Sequence, residues 1–100
     1  MVRWMCSIRV KAGSGMKAMG HAKEMAEFGK KYKGAPPVHV YFDYFGDFPT
    51  IRWFADYPDL GTMETVGNQL LADEAYWKKL EQNADLFVEG SMQTVVMREI

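Results

Sequence analysis

Apolar and polar residues alternate along several stretches of the chain, and this alternation predicts β-strands that each bury one face. The first strand is predicted over residues 2–11, where the apolar positions are Val2, Trp4, Cys6, Ile8 and Val10. A period of two over this length is typical of a strand. The second and third strands are predicted over residues 38–45 and 50–57. The turn-forming residues between them predict a hairpin.

Two helical regions follow from a different spacing. Residues 15–32 carry small and apolar residues at intervals of three and four, and Ser14 is the expected N-cap. Residues 59–72 and 75–87 have the same periodicity. Asp73 between them is a second capping residue, so we predict a kinked or two-piece helix there.

The last strand is predicted over residues 92–100, so the element order is β-α-β-β-α-β. This is the order of the ferredoxin-like α+β fold, in which a four-stranded antiparallel sheet has both helices on one face and the first and third strands at its centre. We expect one such domain over residues 1–100. Trp53 and Trp77 are expected to be buried between helix and strand. The predicted core face of the sheet consists of Val2, Trp4, Cys6, Ile8, Val40, Phe42, Ile51 and Trp53.

Composition removes several classes of function. The chain has 12 lysine and arginine residues against 13 aspartate and glutamate residues, a formal net charge of −1. This balance gives no general attraction to nucleic acid or to an anionic membrane. No stretch approaches the roughly 20 apolar residues that a membrane helix needs, and the N-terminus lacks the apolar core of a signal peptide. We therefore expect a cytoplasmic protein with no membrane partner.

The cysteine and the histidines predict no metal site and no cofactor. Cys6 is the only cysteine, and His21 and His39 lie far from it and from each other in sequence, so no zinc spacing exists. Cys6 is interpreted as a small core residue, because nothing near it in sequence would lower the pKa of its thiol. His21 lies beside charged residues on the first helix and is expected to be exposed and inert.

The sheet face without helices carries charged groups beside large rings, namely Arg3, Met5, Arg9, His39, Tyr41, Asp43, Arg52 and Phe54. Such a face is exposed to water, bound to RNA or covered by a second subunit. An RNA-recognition sheet needs a glycine-rich basic motif on its third strand, and residues 51–57 lack one. We therefore expect no nucleic-acid partner and a homodimer formed through this sheet face.

Two segments carry a family resemblance. Residues 49–60 read PTIRWFADYPDL and residues 71–80 read LADEAYWKKL. They resemble the strand end and the acidic helix restart of the dimeric α+β barrel superfamily, in particular its NIPSNAP-like proteins and antibiotic-biosynthesis-monooxygenase domains. The resemblance implies a dimer whose two sheets close into a barrel, with a pocket between sheet and helices or inside the barrel. Within that superfamily some members are cofactor-free oxygenases, some are isomerases or haem degraders, and many have no known activity.

His39 is the candidate catalytic residue. A hairpin register that pairs Phe45 with Thr50 places His39 opposite Asp56, and a carboxylate there would favour the charged imidazole and orient it. In that role His39 is a general base or a substrate-orienting group. The alternative is an exposed histidine in an ion pair on an edge strand.

The same register predicts a binding site next to His39. Arg52, paired with Asp43, would hold a carboxylate or enolate oxygen, and Arg3 and Arg9 would add positive charge at the margin. Tyr41 and Phe54 would form an aromatic wall. These groups would equally serve as the ion pairs and apolar seam of a dimer interface.

The function predicted from these features is that of a small homodimeric barrel protein. It would bind a small, mostly apolar or aromatic molecule that carries an oxygen function. The enzymatic version, cofactor-free oxidation or isomerisation, rests on the family resemblance alone. The alternative is a non-catalytic ligand-binding or assembly module.

Overall fold

The structure is a computed structural model, and it describes residues 1–43, 45–46 and 48–100. Tyr44, which falls in the predicted second strand, and Asp47, which falls in the predicted hairpin turn, lie outside the described residues. Within the rest, the strands are β1 (Val2–Arg9), β2 (His39–Phe42), β3 (Thr50–Tyr57) and β4 (Gln93–Arg98). The α-helices are α1 (Gly15–Phe28), α2 (Leu60–Leu71) and α3 (Glu74–Gln82), with 3₁₀ turns at Gly29–Lys31 and Ala84–Leu86. The predicted ferredoxin-like order is confirmed.

The strands form one antiparallel sheet in the order β2-β3-β1-β4, so β1 and β3 are central as predicted. Cys6 lies opposite Trp53 and Ile8 opposite Ile51, which places the predicted apolar residues of both strands on one face. Ile51 is fully buried on that face. Phe42 was expected in this core but is 36% exposed, because β2 ends there.

The hairpin register differs from the predicted one. His39 lies opposite Phe54 and Tyr41 opposite Arg52, whereas the prediction placed His39 opposite Asp56 and Tyr41 opposite Phe54. The difference is a shift of two residues. Because side chains alternate with a period of two, the shift changes every partner and leaves every side chain on its predicted face.

The first helix packs on the core face through small side chains. Ala18, Ala22 and Ala26 are buried, and the indole nitrogen of Trp53 donates to the Ala22 carbonyl at 3.1 Å. Trp53 therefore packs between helix and strand, as predicted, but it is only partly buried there. Ser14 occupies the N-cap position, but its side chain makes no capping hydrogen bond. No helix in the described part of the chain is long and apolar enough to cross a membrane.

The second helical region is in two pieces, as predicted, because each piece has its own cap. The Asp59 carboxylate accepts from the Thr62 amide at 2.7 Å, and the Asp73 carboxylate accepts from the Ala75 amide at 3.0 Å. The expected burial of Trp77 is wrong: this residue is 42% exposed. Its indole nitrogen donates instead to the Leu71 carbonyl at the end of α2, at 3.0 Å.

Candidate functional site

The candidate site lies on the face of the sheet opposite the helices, which we call the open face. The strand registers arrange its side chains in rows that run across the sheet. One row consists of His39, Phe54, Met5 and Val95 and is called the apolar row. The next row consists of Tyr41, Arg52, Ser7 and Gln93 and is called the polar row. An apolar stripe and a hydrogen-bonding stripe therefore lie side by side.

Phe54 is the centre of an aromatic group on the apolar row. Its ring centroid is 5.1 Å from that of His39 and 5.2 Å from that of Tyr41, the latter in a stacked arrangement. The Arg3 guanidinium lies 4.6 Å from the same ring centroid, a cation–π distance. His39 and Tyr41 are exposed, and Phe54 is partly exposed. These rings offer a flat apolar surface that the described part of the chain does not cover.

Two bidentate ion pairs lie on either side of the aromatic group. Arg3 donates to both carboxylate oxygens of Asp56 at 2.8 and 3.0 Å, and Arg52 donates to both of Asp43 at 3.0 Å. The hydrogen bond from Arg3 holds the pKa of the Asp56 carboxyl below its usual value. The predicted Asp43–Arg52 pair is therefore present. The predicted facing of His39 and Asp56 is wrong, because the register shift brings His39 to Phe54 and Asp56 pairs with Arg3.

An open groove of about 460 Å³ lies at the end of the polar row. Ser7 forms part of its floor and is only 9% exposed, and its hydroxyl has no hydrogen-bond partner within the described residues. Arg9 stacks on the Phe48 ring with its guanidinium carbon 4.2 Å from the ring centroid. In the part of the chain that the structure describes, Arg9 forms no ion pair with a carboxylate. The groove thus offers hydrogen-bond donors that have no acceptor among the described residues.

The predicted site residues fall into two groups on the open face. Asp43, Arg52 and Arg9 line the groove. His39, Tyr41, Phe54 and Arg3 form the aromatic group and do not line it. The two groups meet at Tyr41 and Arg52, which are cross-strand neighbours.

Nine of the described residues that line the groove were not predicted as site residues, and three of them illustrate why. Ser7 lies on the same side of β1 as Arg3 and Arg9, so strand alternation alone could have identified it. Gln93 enters the groove because β4 pairs with β1 so that Gln93 lies opposite Ser7. Phe48 lies in the hairpin connection, where strand alternation gives no direction. No local signal in the sequence could have predicted the placement of Gln93 or Phe48.

The described residues contain no group of three or more histidine, cysteine or acidic side chains that could hold a metal ion. Cys6 lies on the core face, where burial raises the pKa of its thiol. A protonated, buried thiol is a poor nucleophile. The chemical groups that the described part of the site offers are therefore imidazole, guanidinium, phenol, hydroxyl, amide and carboxylate groups.

Comparison with solved structures shows the same fold in two groups of proteins. An uncharacterised NIPSNAP domain protein from Burkholderia xenovorans superposes with a TM-score of 0.82 at 15% identity, over 100% of this chain and 95% of that one. SnoaB from Streptomyces nogalater, a cofactor-independent oxygenase, superposes with a TM-score of 0.73 at 12% identity, over 98% of this chain and 91% of that one. No protein-family model and no curated protein sequence matches the chain. The predicted resemblance in fold is confirmed, and identities this low show the fold alone.

Proposed function

We propose that the protein is a homodimer whose open faces pack together and whose polar groove binds a small aromatic or apolar molecule carrying an oxygen function. The chemistry we propose there is cofactor-free oxidation or isomerisation. The observation that carries the proposal is the adjacency of the apolar row and the groove. Among the described residues, an aromatic surface without a cover lies directly beside hydrogen-bond donors without an acceptor.

The apolar row supports dimerisation. Phe54 and Met5 are central in the sheet, and Val95 on the neighbouring strand is 49% exposed, so the row leaves a continuous apolar surface in water. Surfaces of this kind on a soluble domain are typical of contact sites. A net charge of −1 gives little repulsion between two copies. The open face of a second copy carries the same apolar row, so the two rows can pack against each other in a symmetric dimer.

The groove supports recognition of an oxygen-bearing group. Ser7 and Arg9 are donors without a protein acceptor among the described residues, and Arg52 is held in place by Asp43. An aromatic ring resting on Phe54 would extend its oxygen substituent along the polar row toward these donors. The arginines would stabilise negative charge that develops on that oxygen.

His39 is the base in the proposed reaction. It would accept a proton from an acidic carbon or hydroxyl of the ligand, leaving an anion whose charge lies on the ligand oxygen. In isomerisation, the proton returns to a different carbon. In oxidation, the ligand carbanion transfers one electron to dioxygen, and the resulting carbon radical and superoxide combine through a new C–O bond. The peroxide takes the proton back from the His39 imidazolium, and loss of water, with cleavage of the O–O bond and of the second C–H bond, leaves a carbonyl on that carbon. The cofactor-independent oxygenase among the structural neighbours is consistent with the second route.

A second candidate is a non-catalytic ligand-binding or assembly module. The observation that favours it is the saturation of both ion pairs on the open face. Arg3 and Arg52 already bind a carboxylate through two hydrogen bonds each. In this alternative the pairs orient two sheets against each other and bind no substrate.

Light scattering after size-exclusion chromatography tests the dimer. We expect the mass of two chains at micromolar concentration. Phe54→Lys should raise the dimer dissociation constant by at least about 100-fold, because burying an unpaired ammonium costs several kcal/mol. Met16→Lys is the matched control, since Met16 is 84% exposed on α1, on the other side of the sheet. A monomeric wild-type protein would remove the dimer from the proposal.

Mass spectrometry of any co-purified ligand, followed by binding to two variants, tests the site. We expect His39→Gln and Arg52→Met to weaken binding of that ligand while the dimer persists. If both variants lose dimer stability and bind the ligand unchanged, these residues belong to the interface and the site assignment fails. Only if binding falls is a pH profile governed by His39 worth measuring.

A further inference from the structure

A buried histidine on α1 has a ring nitrogen without a partner. His21 is 6% exposed, and its Nδ1 atom is fully buried with no hydrogen bond to any described residue. This corrects the expectation that His21 is exposed. Its ring lies 5.8 Å from that of Phe87, and burial lowers the pKa of the imidazole, so the ring is neutral near pH 7. A neutral imidazole has one donor nitrogen and one acceptor nitrogen.

The proton of this ring belongs on Nε2. A buried N–H group without an acceptor is a rarer and costlier arrangement than a bare acceptor without a donor. Nδ1 is the nitrogen that is sealed from solvent, so Nε2 is the nitrogen left to reach the surface. His21 lines a cleft at that surface. We infer that the cleft receives an N–H donor from His21, and this donor has no acceptor among the described residues.

The cleft lies between α1 and the end of α3 with its following 3₁₀ turn, and its volume is about 460 Å³. Gly20 forms part of the α1 wall, one residue from His21. A Cβ atom built on Gly20 would meet nothing within 4 Å, so the glycine leaves open space beside the imidazole. The space is large enough for a metabolite of a few heavy atoms.

The charges around the cleft are of both signs and on opposite walls. Glu24 on α1 is neutralised by an ion pair with Lys79 of α3. Lys17 on α1 and Asp85 in the 3₁₀ turn both line the cleft, and neither has an ion-pair partner among the described residues. A free cation thus lies on the α1 wall, where His21 also lies, and a free anion on the facing wall.

We propose that this cleft binds a small zwitterion of the amino-acid class. Its carboxylate accepts from His21 Nε2–H and pairs with Lys17, and its ammonium group pairs with Asp85. Each charged end of such a ligand meets the opposite charge, and the ligand brings no net charge into a cleft that is itself balanced. The site is on the helical side of the sheet, so it is independent of the open face and of the function proposed there.

Two-dimensional amide NMR of the whole protein, titrated with L-alanine, tests the proposal. We expect saturable shifts confined to the cleft, at Lys17, Gly20, His21 and residues 82–86. Acetate and methylamine carry one end of the zwitterion each and should bind at least about tenfold more weakly. Acetate binding as tightly as L-alanine would mean a simple anion site, and the absence of saturable shifts would mean no site. Either result overturns the proposal.

Variants separate the proposed contacts from general effects. Lys17→Met and Asp85→Asn change side chains at the protein surface, so the fold should persist, and each should weaken L-alanine binding at least about tenfold. Lys23→Met is the control for charge, because Lys23 is on α1 outside the cleft. Unchanged binding in both cleft variants would refute the assignment of the charged ends.

A filled cleft gives a second, steric test. Gly20→Leu places a side chain in the open space and should abolish binding. Gly67→Leu is the matched control, since Gly67 is also helical, a Cβ there also meets nothing within 4 Å, and it lies on α2 away from the cleft. Long-range ¹⁵N spectra should show the His21 proton on Nε2 and a shift of that nitrogen on addition of L-alanine. A proton on Nδ1 would refute the proposed hydrogen bond.

Discussion

Trp53 and Trp77 offer the sharpest test of the fold, because the sequence predicts the same burial for both and the structure places them in different environments. Trp53 and Trp77 both fall on apolar faces in the sequence, yet only Trp53 packs, partly buried, against the helix layer, while Trp77 is 42% exposed. Replacing each with alanine removes the same side chain from two different environments. The loss of unfolding free energy should therefore be larger for Trp53→Ala than for Trp77→Ala.

The magnitude for Trp53 follows from its contacts. Its ring packs against the cluster around Ile51 and Ala22, and its indole nitrogen donates to the Ala22 carbonyl at 3.1 Å. Trp53→Ala leaves a cavity and should cost about 3–5 kcal/mol. Trp53→Phe keeps most of the ring and loses the hydrogen bond and some volume, so it should cost about 1–2 kcal/mol.

Trp77 should cost less, because solvent fills the space that its ring leaves. Trp77 is 42% exposed, and its ring centroid lies 5.3 Å from that of the neighbouring Tyr76. Its hydrogen bond to the Leu71 carbonyl is worth about 1 kcal/mol. Together with the partial burial of the ring, this predicts a loss of about 1–2 kcal/mol for Trp77→Ala.

Urea unfolding followed by circular dichroism at 222 nm measures all three variants without relying on tryptophan fluorescence. A cost below about 1 kcal/mol for Trp53→Ala would mean that the two faces of β3 are reversed. A cost for Trp77→Ala equal to that for Trp53→Ala would mean that α3 packs on the sheet through Trp77, as the sequence alone predicts.

Other predictions concern single groups. Hydrogen bonds from Lys31, and then from Tyr32, lower the pKa of Asp73, so its charged form stabilises the folded state above the unfolded-state pKa of about 4. This stabilisation is lost as the pH falls through the lower folded-state pKa, and urea unfolding from pH 6 to 3 should show a smaller decline for Asp73→Asn. Cys6 should react with a disulfide reagent at least about tenfold more slowly in the native state than in urea, and equal rates would contradict its burial. Gly34→Ala should destabilise by about 1 kcal/mol in urea unfolding because its φ is +84°; no loss would contradict that conformation.

Much of the architecture was predictable from local pattern. Strand alternation assigned Cys6, Ile8, Ile51 and Trp53 to one face, because side-chain direction in a strand depends only on sequence parity. Asp73 marked the division between α2 and α3, because a capping residue acts on its own helix end. These are local properties, so a linear sequence is enough to read them.

Pairing between strands was not predictable in the same way. A hairpin shifted by two residues keeps all faces unchanged, so no hydrophobic pattern distinguishes the predicted register from the observed one. Because of the shift, His39 lies opposite Phe54 and not opposite Asp56. The Asp56 carboxylate forms its ion pair with Arg3. The register of β4 against β1, between segments far apart in sequence, placed Gln93 beside Ser7 and completed the groove.

The sequence by itself determined the order of elements, the two faces of the sheet and the residue types available on each. Tertiary structure alone decided which side chains meet, because contacts such as His21 with Phe87 join segments with no shared local pattern. The same helical periodicity is compatible with a buried or an exposed Trp77. The orientation of α3 after its N-cap Asp73 determines that Trp77 is exposed. Burial is a property of what covers a residue, and the covering segment is distant along the chain.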